Sequence, residues 1–173
     1  QKLIGVYREL KALVGLDVLD ISLVMDEDEF QTQSQTGKPR KPKPGKVPKK
    51  KKVNGSSSSS WLRDPDMAFT AIDKADFKCE NDVSHETFIS SSTDHQFVEA
   101  HHLIPMEFQD DFEASIDVSE NIISLCPNCH RAFHNSINEV KRELISKFYD
   151  LRVDLLKERE IFLSKEKLLD LYK

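Results

Sequence analysis

The chain has 173 residues, 38% apolar and 32% charged, with a formal net charge of −5. This is enough for one ordinary soluble domain, and no run nears the ~18 apolar residues of a membrane span. Three cysteines, Cys79, Cys126 and Cys129, make an odd count that excludes a fully paired disulfide framework; with no signal-peptide pattern at the start, a cytoplasmic location is expected.

The chain begins at Gln1 rather than at a methionine, and a further domain upstream is expected. In residues 1–30, Leu3, Val6, Tyr7, Leu10 and Leu13 recur at helical spacing. A piece this short cannot bury a core of its own. It is expected to be the helical tail of an upstream domain or a helix docked on the domain downstream of it. Residues 31–60 are rich in Lys, Pro and Ser and lack periodic apolar residues, so a flexible linker is expected. Within them, residues 38–52 carry nine Lys or Arg and no acid. Such a run assists contact with a phosphate backbone without sequence preference.

Residues 61–173 are expected to form the main domain. Residues 53–173 hold 13 bases against 23 acids, a net of −10, so the basic run lies between acidic parts. Asp64 followed by Pro65 marks the start of a helix over 64–75. Strands are expected over 87–91 and 96–104, with a short buried strand over 121–126. RAFHNSI opens a helix. A longer helix over 138–159 places Val140, Leu144, Phe148, Leu151 and Leu155 on one core-facing stripe. Ser164 caps a last helix carrying Leu168, Leu169, Leu171 and Tyr172.

The chemistry is concentrated in CPNCHRAFH, residues 126–134. Cys126 and Cys129 have the spacing of a zinc knuckle, whose turn points both thiolates at one metal. A closed site needs four ligands, and Cys79 with His85 in CENDVSH supplies the other two. His130 and His134, four apart at the start of a helix, face the same way as a second metal clamp. A third donor comes from EAHHLIP, residues 99–105. On a strand, His101 and His102 point to opposite faces, one toward a metal and the other toward a substrate. Glu99 lies on the His101 face.

AHHLIP followed by ENIISLCPNCHRAFH resembles the HNH (ββα-metal) endonucleases, in particular modification-dependent restriction endonucleases of the McrA kind. The resemblance covers residues 77–135 well and the stretch from Arg63 to the C-terminus more loosely. It implies an α+β fold: a ββα-metal core with a structural zinc site and additional C-terminal helices. His102 matches the general base, and His101, His130 and His134 match ligands of one catalytic divalent metal. Asn121 matches the asparagine that holds the base histidine in orientation. Cys79, His85, Cys126 and Cys129 would take the structural Zn2+. The second metal is Mg2+, Mn2+, Ni2+ or Zn2+; nitrogen donors favour the later transition metals. The implied function is metal-dependent hydrolysis of DNA phosphodiesters in a restriction or defence enzyme. A homodimer paired through the C-terminal helices is the arrangement that suits double-strand cleavage. Two other readings compete: a non-catalytic zinc-stabilised module binding DNA or protein, and a toxin nuclease.

Overall fold

The computed structural model describes residues 27–41, 43–54 and 59–173. The expected helix near the N-terminus, over residues 1–24, lies outside them. In chain order the elements are helix α1 (Glu27–Gln35), a small hairpin of β1 (Lys52–Asn54) and β2 (Ser59–Trp61), helix α2 (Pro65–Lys74), strand β3 (Glu99–His102), strand β4 (Ile122–Leu125), and helices α3 (Pro127–Asn135), α4 (Asn138–Glu158) and α5 (Lys165–Asp170). Two 3-10 turns, Met106–Asp111 and Ser119–Asn121, shape the connection between β3 and β4. Among the described residues no helix is long and apolar enough to cross a membrane.

The centre of the molecule is the antiparallel ribbon β3–β4, with α3 following directly. His101 lies opposite Ile123, and His102 opposite Ile122. Strand alternation then divides the core in two. Ile123 and Leu125 join Phe133, Ile145, Phe148 and Leu168 on one side. Ala100 and Ile122 join Phe30, Ile72 and Val98 on the other, beneath α1 and α2. His101 and His102 are therefore sent to opposite faces, as the strand period requires.

A two-stranded ribbon leaves two open edges, and both are closed by side chains. Ala100 and Ser124 face each other with their backbone groups turned outward. On the β3 edge, Gln31 of α1 donates to the Ala100 carbonyl at 2.8 Å and accepts from the Ala100 amide at 2.8 Å. Gln35 donates to the Val98 carbonyl at 2.6 Å. On the β4 edge, Glu80 accepts from the Ser124 amide at 2.7 Å, and its own amide donates to the Ser124 carbonyl at 2.8 Å.

The helix ends follow the expected chemistry. Asp64 caps α2 by accepting from the Asp66 amide at 3.1 Å, with Pro65 in the first turn. Ser164 caps α5 by accepting from the Lys167 amide at 3.2 Å.

Three expectations need correction. Residues 87–91 form no strand, only an isolated bridge between Ile89 and Gln96. Phe88 and Ile89 are exposed, so no packed face selects a strand there. Within α4 the buried positions are Leu144, Ile145, Phe148 and Leu156, whereas Val140, Leu151 and Leu155 are exposed. The inward turn between Phe148 and Leu156 is occupied by Arg152, which pairs with Glu80. A charged inward residue hides the true stripe from an apolar count. Lastly, the described part of residues 31–60 makes specific contacts where a free tether is expected. Residues 31–35 belong to α1, and residues 38–41 and 43–52 lie as a strap on the domain. Arg40 pairs with Asp64 and Asp66 at 2.8 Å each, and the Val47 carbonyl accepts from the Ser115 amide at 2.7 Å. Specific acids of the domain offset the ordering entropy that apolar residues would otherwise have to offset.

Gln31→Leu keeps a similar volume but strands the Ala100 amide and carbonyl. The expected cost is about 1–3 kcal/mol in urea unfolding, with faster hydrogen exchange at the Ala100 amide.

Candidate active site

Two clusters of metal-binding side chains flank the start of α3. In the first, Cys126 is the N-cap of α3, and its sulfur accepts from the Cys129 amide at 3.4 Å. Pro127 sits in the first turn, where a missing N–H costs nothing. Both sulfurs therefore face the same side. The chain along the β4 edge delivers Cys79. His85 Nδ1 lies 3.4 Å from the Cys129 sulfur and 3.6 Å from that of Cys126. The donor atoms of Cys79, His85, Cys126 and Cys129 all fall within 4.8 Å of one another. Asn81 donates to the Cys129 sulfur at 3.3 Å.

Charge explains what the cluster wants. Burial works to raise the Cys79 thiol, yet backbone N–H groups of Cys126, Asp82 and Asn81 together with His85 bring it down to about 7. Burial pushes Cys129 up to about 12, with Cys126 and Cys79 adding to the rise and Asn81 opposing it. Three sulfurs this close cannot all ionise without a cation among them. Three buried thiols and one half-buried imidazole, with donor atoms in tetrahedral reach, fit Zn2+.

The second cluster joins His101 of β3 to His130 and His134 of α3, again with donor atoms within 4.8 Å. His130 and His134 have their Nε2 atoms 3.3 Å apart. One nitrogen on each of two of these rings is held. Glu99 lies 2.6 Å from His130 Nδ1, and the Tyr172 hydroxyl lies 3.2 Å from His101 Nε2. That hydroxyl donates to the Leu103 carbonyl at 2.8 Å, so it accepts from His101. Nδ1 of His101 and Nε2 of His130 are thereby left with lone pairs, the tautomers a metal needs. Burial pushes His101 well below the usual histidine range, and His130, His134 and His102 add to the fall. Burial and His130 lower His134 in the same direction. Three convergent imidazoles, with His101 and His134 shifted toward the neutral form, fit a first-row divalent ion.

His102 sits on the other face of β3, its ring centroid 6.1 Å from that of Phe30. Its Nε2 lies 2.9 Å from Asp117 Oδ1, and Nδ1 has no hydrogen-bond partner among the described residues. Burial works to raise the Asp117 carboxyl, but His102 and Lys50 outweigh it and hold it below the usual carboxylate range. His102 and the three-histidine cluster share one cleft of about 410 Å³, with Glu27, Trp61, Arg63 and Arg131 on its walls. Arg63 pairs with Glu27 at 2.6 Å and stacks 4.0 Å over Phe30.

Asn121 is fully buried and lines no part of the cleft. Its side chain accepts from the Ile104 amide at 2.8 Å and donates to the carbonyls of Ile104 and Ile116 at 3.0 and 2.9 Å. Its carbonyl accepts from the Leu103 amide at 2.8 Å. It grips the two residues after His102 and, among the described residues, makes no hydrogen bond to the His102 ring. The sequence does not single out Asp117, Tyr172 or Gln31 as site residues. Each is a lone polar residue whose spacing carries no signal. Glu99, expected on the His101 face, bonds His130.

With this geometry established, comparison with known proteins gives two findings. Residues 81–137 match the family described as HNH endonuclease. A stretch of 89 residues is 32% identical to the type IV methyl-directed restriction enzyme EcoKMcrA of Escherichia coli (strain K12), covering 51% of this chain and 29% of that protein. The chain thus spans under a third of that relative's length.

If the cluster of Cys79, His85, Cys126 and Cys129 holds zinc, Cys126→Ser is expected to release it, read as a lower zinc-to-protein ratio by elemental analysis. A loss of a few kcal/mol corresponds to a Tm drop of roughly 10 °C for a chain of this size. His134→Ala should leave that zinc in place, because the two clusters share no ligand.

Proposed function

We propose that the chain, whose residues 81–137 match the family described as HNH endonuclease, is the cleavage module of a metal-dependent DNA endonuclease of the restriction kind. The observation that carries this reading is the meeting of two different arrangements in one cleft. Three imidazoles converge on a point, and beside them one histidine is held at Nε2 and left open at Nδ1. A metal-binding module that only stabilised a fold would have no use for the second.

In this reading His102 is the general base. Its Nε2–H donates to Asp117, so the lone pair sits on Nδ1 and takes the proton from the water that attacks phosphorus. Asp117 stays anionic and favours the protonated ring that results. Phe30 and the grip of Asn121 on residues 103 and 104 limit how far the ring and its strand can move. A divalent ion held by His101, His130 and His134 would stabilise charge on the phosphoryl and leaving oxygens. Arg131 lines the same cleft and offers a cationic donor to the flanking phosphates. Cys79, His85, Cys126 and Cys129 would hold Zn2+ and fix where α3 begins, so the knuckle sets the height of His130 and His134.

The test is plasmid cleavage by the purified protein with Mg2+, Mn2+, Ni2+ or Co2+. His102→Ala is expected to lower the rate about 10²–10⁴-fold while metal binding at the three histidines persists. Cleavage with none of these ions, or undiminished cleavage by His102→Ala, would favour the non-catalytic binding module instead. Methylated and unmethylated plasmids run side by side show whether the selectivity in the relative's name extends to this chain.

A further inference from the structure

The basic strap meets the acid behind His102 at one point. Lys50 Nζ lies 2.8 Å from Asp117 Oδ2 and 3.2 Å from Asp64 Oδ2. The other Asp117 oxygen is the one bonded to His102. Asp117 also accepts from the Asp64 amide at 2.7 Å, and its side chain is only 1% exposed. Lys50 thus bridges two carboxylates, one of them fully buried and bonded to the base histidine. The strap holds the Asp117 loop through its backbone as well. Val47 accepts from the Ser115 amide, and the Ser115 hydroxyl accepts from the Asp117 amide at 3.2 Å.

We propose that Lys50 is a positioning residue for the base histidine, acting through Asp117. The inference rests on the nuclease reading of His102. A buried carboxylate with two oxygens needs a partner on each. His102 takes Oδ1, Lys50 shares Oδ2 with the Asp64 amide, and Lys50 is the charged partner that holds the rotation of the carboxyl group from the side away from the cleft. Without the ammonium group, Asp117 and Asp64 face each other with one cation fewer between them. Asp117 then turns or takes up water, and the His102 ring loses the single orientation that aims Nδ1 into the cleft. Distortions on this scale reduce turnover without weakening substrate binding. The ordinary role of a lysine in a basic run is the opposite: it touches phosphate, strengthens binding and leaves the chemistry alone.

The experiment compares Lys50→Met, Lys50→Gln and Lys50→Arg in the intact chain, with Asp117→Asn alone and combined with Lys50→Met. Lys50→Met and Lys50→Gln are expected to lower kcat about 10- to 100-fold with KM for plasmid and the salt dependence of DNA binding unchanged. Lys50→Arg should recover most of kcat. The double variant should be no slower than Asp117→Asn. Unchanged kcat with weaker DNA binding and a salt slope reduced by about one would make Lys50 a phosphate contact and overturn the proposal. Proton NMR of the imidazole N–H supplies a readout that needs no cleavage. The His102 Nε2–H, shielded by Asp117, should give a slowly exchanging signal that weakens in Lys50→Met and disappears in Asp117→Asn. If the parent protein cuts nothing, the nuclease reading fails, and this signal still decides the coupling. A signal identical in Lys50→Met and parent overturns it.

Discussion

The structure depends on how a ribbon of only two strands satisfies its outward-facing backbone. In water such a ribbon is marginal by itself, because half of its ladder groups have no partner. Here Ala100 and Ser124 form the pair whose amides and carbonyls point away from the ribbon. Gln31 closes one side and Glu80 the other. These contacts do more than stabilise. Gln31 brings α1, and with it Phe30, against the face that bears His102. Glu80 brings the segment that contains Cys79 alongside the strand that ends in Cys126. Each edge closure therefore assembles one functional cluster, and neither cluster lies within a single element.

The sharing of work between neighbouring residues comes from the same geometry. Strand period sends His101 to the side of Phe133 and Tyr172 and His102 to the side of Phe30. Helical period puts His130 and His134 on one face of α3. Because α3 starts at the knuckle, the cysteines face one cluster and the histidines the other within nine residues. Burial has opposite effects on the two. It lowers His101 and His134, which suits a nitrogen ligand, and works to raise Cys79 and Cys129, which a zinc ion would have to overcome.

What is legible in the sequence is local chemistry joined to secondary-structure period. The two ligand sets lie on short motifs with fixed spacing, and they fall together in space as grouped. The caps Asp64 and Ser164 are legible for the same reason, as is the α+β class. What is not legible depends on which distant polar residue turns inward. Asp117 meets His102 across 15 residues, Lys50 meets Asp117 across 67, Gln31 meets Ala100 across 69 and Tyr172 meets His101 across 71. In one dimension each is an ordinary polar side chain. The stripe of α4 escapes an apolar count because Arg152 takes an inward position, with Glu80 as its partner. The strap reads as a tether because its order comes from charge, and apolar periodicity is blind to that.

The strap also changes what the charge distribution means. Taken as blocks, nine positive charges beside a part with net −10 suggest a DNA-binding arm on an acidic body. In the fold the two blocks lie on each other. Arg40, Lys50 and Lys52 meet Asp64, Asp66, Asp117 and Asp110. Asp117 could not be buried as an anion without such a partner, since an uncompensated buried charge costs more than the fold can spare. The basic run therefore neutralises acids of its own chain before it can attract phosphate. A DNA duplex approaching this surface meets a field much weaker than the composition of residues 38–52 suggests. If the chain cuts DNA as proposed, affinity then has to come from short-range contacts, among them Arg131 and the histidine-lined cleft, and long-range steering contributes little.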